Sequence, residues 1–133
     1  MMFRTMDPEV VRDAASMYVG EIEGLNPEEW SADDRNIILT DGLGNTNLLE
    51  YVKPGVYTGH VFYKARGKTA VALMVEALNK TFSEYPVEVI IGLTPIEKVG
   101  ARWLSRKVGF KGHGIIKTII GPCEVFIMTK ESR

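Results

Sequence analysis

Between Val56 and Leu93 the hydrophobic period changes twice, and that pair of changes limits the fold more than any other feature of the chain. Val56 to Tyr63 is rich in valine, threonine and aromatic residues, the composition of a β-strand. Arg66-Gly67-Lys68 ends it. From Thr69 onward Ala70, Leu73, Met74, Ala77, Leu78 and Phe82 fall three and four positions apart, which predicts an amphipathic helix. Tyr85-Pro86 stops that helix, and Val87 to Leu93 is then apolar except for Glu88. A strand of that kind is expected in the interior of a sheet, covered on both faces. A length of 133 residues suits one such domain.

The other segments can be arranged around this unit. Asp7-Pro8-Glu9 puts a capping residue, a first-turn proline and an acid ahead of Val10, Val11, Ala14, Ala15 and Tyr18, predicting a helix that ends near Gly24. Asn26-Pro27-Glu28-Glu29-Trp30 repeats the start signal for a short helix or turn. Asn36 to Thr40 and Thr46 to Val52 read as strands joined by the turn residues Asp41 to Asn45, a hairpin, and Pro54-Gly55 turns the chain again. Thr94-Pro95 predicts the start of another helix, ending at Gly109. Ile115 to Ile120 and Cys123 to Thr129 flank Gly121-Pro122 as a second hairpin. The expected order is α, β, β, β, α, β, α, β, β.

Charge and composition narrow the function. With 16 basic and 17 acidic residues the net charge is -1, which argues against a protein that coats nucleic acid. No apolar stretch approaches the roughly 20 residues of a membrane-spanning helix. The single Cys123 forms no internal disulfide and the N-terminus lacks an apolar core of signal length, so a cytoplasmic protein is expected. Two histidines and one cysteine show no metal-ligand spacing, and a packed, inert thiol is expected at Cys123. Lys98, Arg102, Arg106 and Lys107 gather positive charge around the helix after Pro95, either an attraction for an anion or a solvated face.

The basic turn carries the clearest chemical signal. A nucleotide-binding P-loop would need a glycine five residues before Gly67, and Phe62 stands there, so that reading fails. Two readings remain: backbone N–H groups at a helix N-terminus that bind a phosphate with help from Arg66 and Lys68, or an ordinary exposed turn.

Arg66-Gly67-Lys68-Thr69-Ala70-Val71 resembles the pyrophosphate loop Arg/Gln-x-x-Gly-x-Gly/Ala of the GNAT (Gcn5-related N-acetyltransferase) superfamily, with Thr69 and Val71 in place of its two small residues. A shifted register, Lys64 to Thr69, keeps Gly67 as the first glycine, and the sequence leaves the two registers open. Downstream, Ala101, Leu104, Gly109 and Phe110 match the family helix pattern Ala-x-x-Leu-Tyr-x-x-x-Gly-Phe, while Ser105 stands where many members carry a tyrosine that protonates the departing thiolate. The closing segment Gly121 to Lys130 is similar to the last turn and strand of short GNAT-like proteins encoded by bacteriophages.

The resemblance implies an α+β, three-layer fold: a mixed, mostly antiparallel sheet whose fourth and fifth strands splay apart, with helices on both faces. It implies acetyl-coenzyme A as co-substrate, no metal, and an amine acceptor attacking the thioester directly. Val61, Phe62 and Tyr63 would bind the pantetheine arm, and Arg66, Gly67, Lys68, Thr69, Ala70 and Val71 the pyrophosphate. The general base would be Glu50, if burial raises its pKa, or His60, whose ordinary value of about 6.5 already suits proton removal. Thr94 and Ser105 would hydrogen-bond the substrate or a relaying water, Thr94 having the alternative role of helix cap. The resemblance also allows a catalytically inactive binding or virion protein, a host-cytoplasmic or virion location, and a homodimer or a phage or host protein partner. No nucleic-acid partner is expected.

Overall fold

The structure, a computed structural model, describes residues 1–18, 21–22 and 24–133. Among these, strands β1 (Phe3–Thr5), β2 (Ile37–Thr40), β3 (Asn45–Lys53), β4 (Val56–Tyr63), β5 (Val89–Pro95), β6 (Lys111–Thr118) and β7 (Gly121–Thr129) form one sheet in the order β1-β2-β3-β4-β5-β7-β6. Every neighbouring pair is antiparallel except β4 and β5, which run parallel. The helices are α1 (Pro8–Ala15), α2 (Pro27–Ala32), α3 (Gly67–Glu84) and α4 (Val99–Lys107). The expected three-layer α+β arrangement is therefore present, with β5 in the interior of the sheet.

Alternation along β2 shows why both faces need helices. Ile37 and Leu39 join the larger core, with Leu49, Tyr57, Tyr63, Met74, Leu78 and Phe126 under α3 and α4. Ile38 points the other way, into a smaller core of Val11, Ala14, Trp30, Leu48 and Phe62 under α1 and α2. Successive side chains of a strand face opposite sides, so a strand whose residues are all buried must separate two apolar layers.

Several boundaries differ from the sequence reading. The first helix is capped by Asp7, whose carboxylate accepts from the Glu9 N–H at 2.9 Å, but it ends at Ala15 rather than near Gly24. There the Ser16 hydroxyl donates to the Asp13 carbonyl at 2.6 Å, a local bond that competes with helix continuation. Residues 19, 20 and 23 of the expected helix lie outside the described residues. Thr94-Pro95 does not start a helix: β5 runs on through Pro95, and Thr94 and Pro95 pair with Glu124 and Cys123 of β7. Pairing along β7 overrides the local helix-start signal, and α4 begins only at Val99. The last turn sits at Ile119-Ile120, two residues early, with Gly121 at a φ of +109° and Pro122 inside β7 opposite Lys117. Strand β1, three residues long, is too short to show a period and was not expected.

Phe62 anchors the smaller core and is fully buried, with the Tyr18 ring centroid 6.0 Å away. Its replacement by alanine is expected to lower stability by about 3–5 kcal/mol in urea denaturation. Leu93→Ala, at a side chain 42% exposed, is expected to lose less than about 1 kcal/mol in the same measurement.

Candidate active site

Strands β4 and β5 pair over only three positions, Val56 with Val89, Tyr57 with Ile90 and Thr58 with Ile91, and then part. The amide of Lys64 donates to Gly44 on the β3 side and the amide of Val89 to Gly55 on the β5 side. Strand alternation therefore turns the backbone groups of Gly59, Val61 and Tyr63 away from β3 and into the opening. Gly59 allows the close approach at the base of the fork, where a Cβ would come within 2.9 Å of Ile90 Cγ2. A cleft of about 430 Å³ fills the fork, reaching from Arg66, Gly67 and Ala70 at one mouth to Tyr18, Glu21 and His60 at the other.

The first mouth is shaped by a buried asparagine. Asn45 accepts from the Ala65 N–H at 2.8 Å and donates to Asp41 at 2.8 Å, which fixes the chain as it leaves β4. The Arg66 guanidinium turns back to donate to the carbonyls of Tyr63 at 2.6 Å and Ala65 at 3.0 Å. Gly67, at a φ of +58°, makes the bend that carries the chain directly into α3, so the helix starts two residues before the expected Thr69. Among the described residues no side chain caps α3, and no acid occupies its first turn, which leaves its leading N–H groups and positive dipole end for an anion.

The second mouth holds a histidine between two carboxylates. His60 Nδ1 lies 3.2 Å from Glu21 Oε2, and because a carboxylate only accepts, Nδ1 carries the hydrogen. The lone pair of the neutral ring therefore sits on Nε2, which is 3.6 Å from Glu50 Oε1 and has no hydrogen-bond partner among the described residues. Burial opposes charge on this ring, yet Glu21 and then Glu50 outweigh it and raise His60 above the ordinary imidazole value. In return the His60 ring lowers the Glu50 carboxyl, so the raised pKa that a Glu50 base would require is absent. Nearby, Tyr63 donates its hydroxyl to Asn47 at 3.0 Å, and its burial pushes the phenol well above its ordinary value.

On the opposite wall Thr94 and Ser105 both line the cleft, Thr94 from β5 and Ser105 from α4. The position of α4 is set by Glu124 on β7, whose buried carboxylate accepts from Arg102 Nε at 2.8 Å and also binds Arg106. Arg102 further donates to the Ile96 carbonyl at 3.0 Å. Two of the four basic residues around this helix thereby share one carboxylate, whereas Lys98 and Lys107 form no ion pair among the described residues.

The cleft thus collects His60, Val61, Tyr63, Arg66, Gly67, Ala70, Thr94 and Ser105 of the residues singled out in the sequence. Glu50 sits behind His60 rather than on the lining. Phe62 faces the smaller core and pairs with Thr46 of β3, so neither its side chain nor its backbone reaches the fork. Lys68 and Thr69 are exposed in the first turn of α3, and Val71 packs against the larger core. Glu21, Tyr18, Asn45, Asn47 and Glu124 escaped the sequence reading because their roles depend on contacts with distant segments; only Tyr18 stood on a recognised helical face.

No protein-family model and no curated protein sequence matches this chain. Solved structures do resemble it. A dodecameric spermidine N-acetyltransferase from Vibrio cholerae superposes with a TM-score of 0.74 at 12% identity, over 98% of this chain and 94% of its own. A GNAT-family acetyltransferase from Bacillus anthracis gives 0.69 at 16% identity, over 98% and 95%. An aminoglycoside acetyltransferase, AAC(6')-Ib in complex with coenzyme A, gives 0.68 at 12%, over 99% and 95%. At these identities the likeness is one of fold.

Asn45→Ala should free the Ala65 amide from its acceptor. Native-state hydrogen exchange is expected to show faster exchange at Ala65, with a global loss of about 1–3 kcal/mol.

Proposed function

We propose that this chain, whose fold is that of the GNAT acetyltransferases, transfers an acetyl group from acetyl-coenzyme A to an amine. The observation that carries the proposal is the two-mouthed fork between β4 and β5, with an uncapped helix N-terminus at one end and a carboxylate-held histidine at the other. A thioester bound there supplies an activated acetyl group.

The protein's own groups divide the work. The leading N–H groups of α3, with Gly67 and the side chain of Lys68, hold the pyrophosphate, while Arg66 keeps the loop in shape through its bonds to the Tyr63 and Ala65 carbonyls. The inward backbone groups of Val61 and Tyr63 bind the pantetheine amides as an added strand would. Acceptor and donor reach the fork from opposite faces of the sheet, which favours direct transfer over a covalent enzyme intermediate. His60 Nε2 takes the proton from the acceptor amine, and Glu21 fixes the tautomer that makes this atom the base. Thr94 and Ser105 offer hydroxyls along the opposite wall.

A binding protein without catalysis is the second reading. It is favoured by Ser105 in place of the family tyrosine, and by Thr69 and Val71 in place of the loop's small residues. Coenzyme binding without transfer to any amine of a broad panel would select it.

Calorimetric titration with acetyl-coenzyme A is expected to give saturable heat that Arg66→Glu weakens strongly, because a negative charge would then stand at the mouth of α3; absence of heat at millimolar ligand overturns the proposal. The pH dependence gives a second check. Only neutral His60 can accept a proton and its pKa is raised, so kcat/KM should climb as pH rises through a midpoint above 6.5. Removing the Glu21 charge in Glu21→Gln should move that midpoint down, and His60→Gln should abolish the limb.

A further inference from the structure

The rim of the second mouth carries charges of both signs. Lys98, at the N-terminal end of α4, lines the cleft with its Nζ 3.9 Å above the centre of the Tyr18 ring. The Tyr18 carbonyl accepts from the Glu21 N–H at 3.2 Å, and Glu21 in turn holds His60. Lys98, Tyr18, Glu21 and His60 therefore follow one another around the acceptor side, with Glu50 behind His60.

Lys98 makes no ion pair within the described residues, in contrast to Arg102 and Arg106 of the same helix, which share Glu124. The other cation on the cleft, Arg66, belongs to the far mouth and spends its donors on carbonyls. Behind the other end of the arc, Glu50 lies 3.6 Å from the His60 Nε2, which has no hydrogen-bond partner among the described residues. An ammonium is favoured at the His60 end, where Glu21 lines the cleft and Glu50 stands behind the ring, and is repelled by Lys98, and a carboxylate is the reverse.

We infer that the acceptor is a zwitterionic amino acid, its amine directed to the His60 end of the mouth and its carboxylate held by Lys98. The inference rests on the acetyl-transfer reading of the same cleft and adds to it the charge pattern of the acceptor. Lys98 acts as a specificity determinant: it contributes nothing to proton transfer, but favours an acceptor with a carboxylate over the same molecule without one. The Tyr18 ring beneath its ammonium keeps that charge on the cleft side.

The test compares matched pairs that differ only in the carboxylate: lysine with cadaverine and arginine with agmatine. Each is titrated calorimetrically into the intact protein saturated with coenzyme A, which needs no turnover. The amino acid should bind about tenfold more tightly than its decarboxylated partner. Lys98→Glu should abolish or invert that preference and, where transfer is measured, act on KM and leave kcat nearly unchanged. Equal or tighter binding of cadaverine and agmatine, no binding of any of the four, or an unchanged preference in Lys98→Glu would each overturn the inference. Absence of coenzyme A binding in the first titration would instead overturn the acetyl-transfer reading on which it rests.

Discussion

The parting of β4 from β5 is the constraint on which the rest of the site depends. A parallel pair that stops after Thr58 and Ile91 leaves a row of backbone donors and acceptors in the interior of a sheet, where each would normally find a partner. The protein keeps this arrangement by fixing both arms of the fork from outside. Strand β4 is held along its whole length by β3, and its exit is tied by Asn45. Strand β5 is held to its last residue by β7, and α4 is fixed to the same strand through Glu124. Each arm of the opening is paired along its outer edge, and the unpaired groups between them are what an extended ligand can satisfy.

The second consequence is a division of charge. A net charge of -1 conceals basic residues around α4, of which Arg102 and Arg106 converge on one buried carboxylate that offsets one of their two charges. Gly112 belongs to this clamp, since a Cβ there would lie 2.5 Å from Glu124 Oε2. The positive potential that remains on the cleft belongs to the α3 terminus at one mouth and Lys98 at the other. Between them the buried His60 is stabilised by Glu21 and Glu50, so a titratable group sits where the fork changes from one face of the sheet to the other.

Much of this architecture is legible in the sequence, for identifiable reasons. The helix from Ala70 to Phe82, the hairpin before it and the helix stop at Gly109 each rest on local signals: period, turn residues and a left-handed glycine, here at a φ of +109°. Thr94-Pro95 misled because its strand pairing is with β7, about thirty residues on, and proline carries the same local signal at a strand end as at a helix start. The candidate site was half legible. His60, Tyr63, Arg66 and Gly67 lie within one strand and turn, so a motif could find them. Glu21 and Glu124 reach the site from segments 39 and 18 or more positions away from their partners, and nothing local marks them. Phe62 was misassigned by one residue of strand alternation, which sends its side chain to the opposite core.

Ser105 is the remaining departure, and thiol chemistry determines how much it matters. Tyr63, the buried tyrosine of the fork, already donates its hydroxyl to Asn47 and has a raised pKa, so it is poorly placed and poorly tuned to protonate a leaving group. A thiolate, however, is a far better leaving group than hydroxide, because an ordinary thiol has a pKa of about 8.5 and water one of about 15.7. The proton that limits acetyl transfer to an amine is the one on the nucleophile, which must be lost before or during attack. On the proposed reading, a fork with serine at position 105 and a histidine of raised pKa held by Glu21 has the acid–base group that acetyl transfer to an amine needs most.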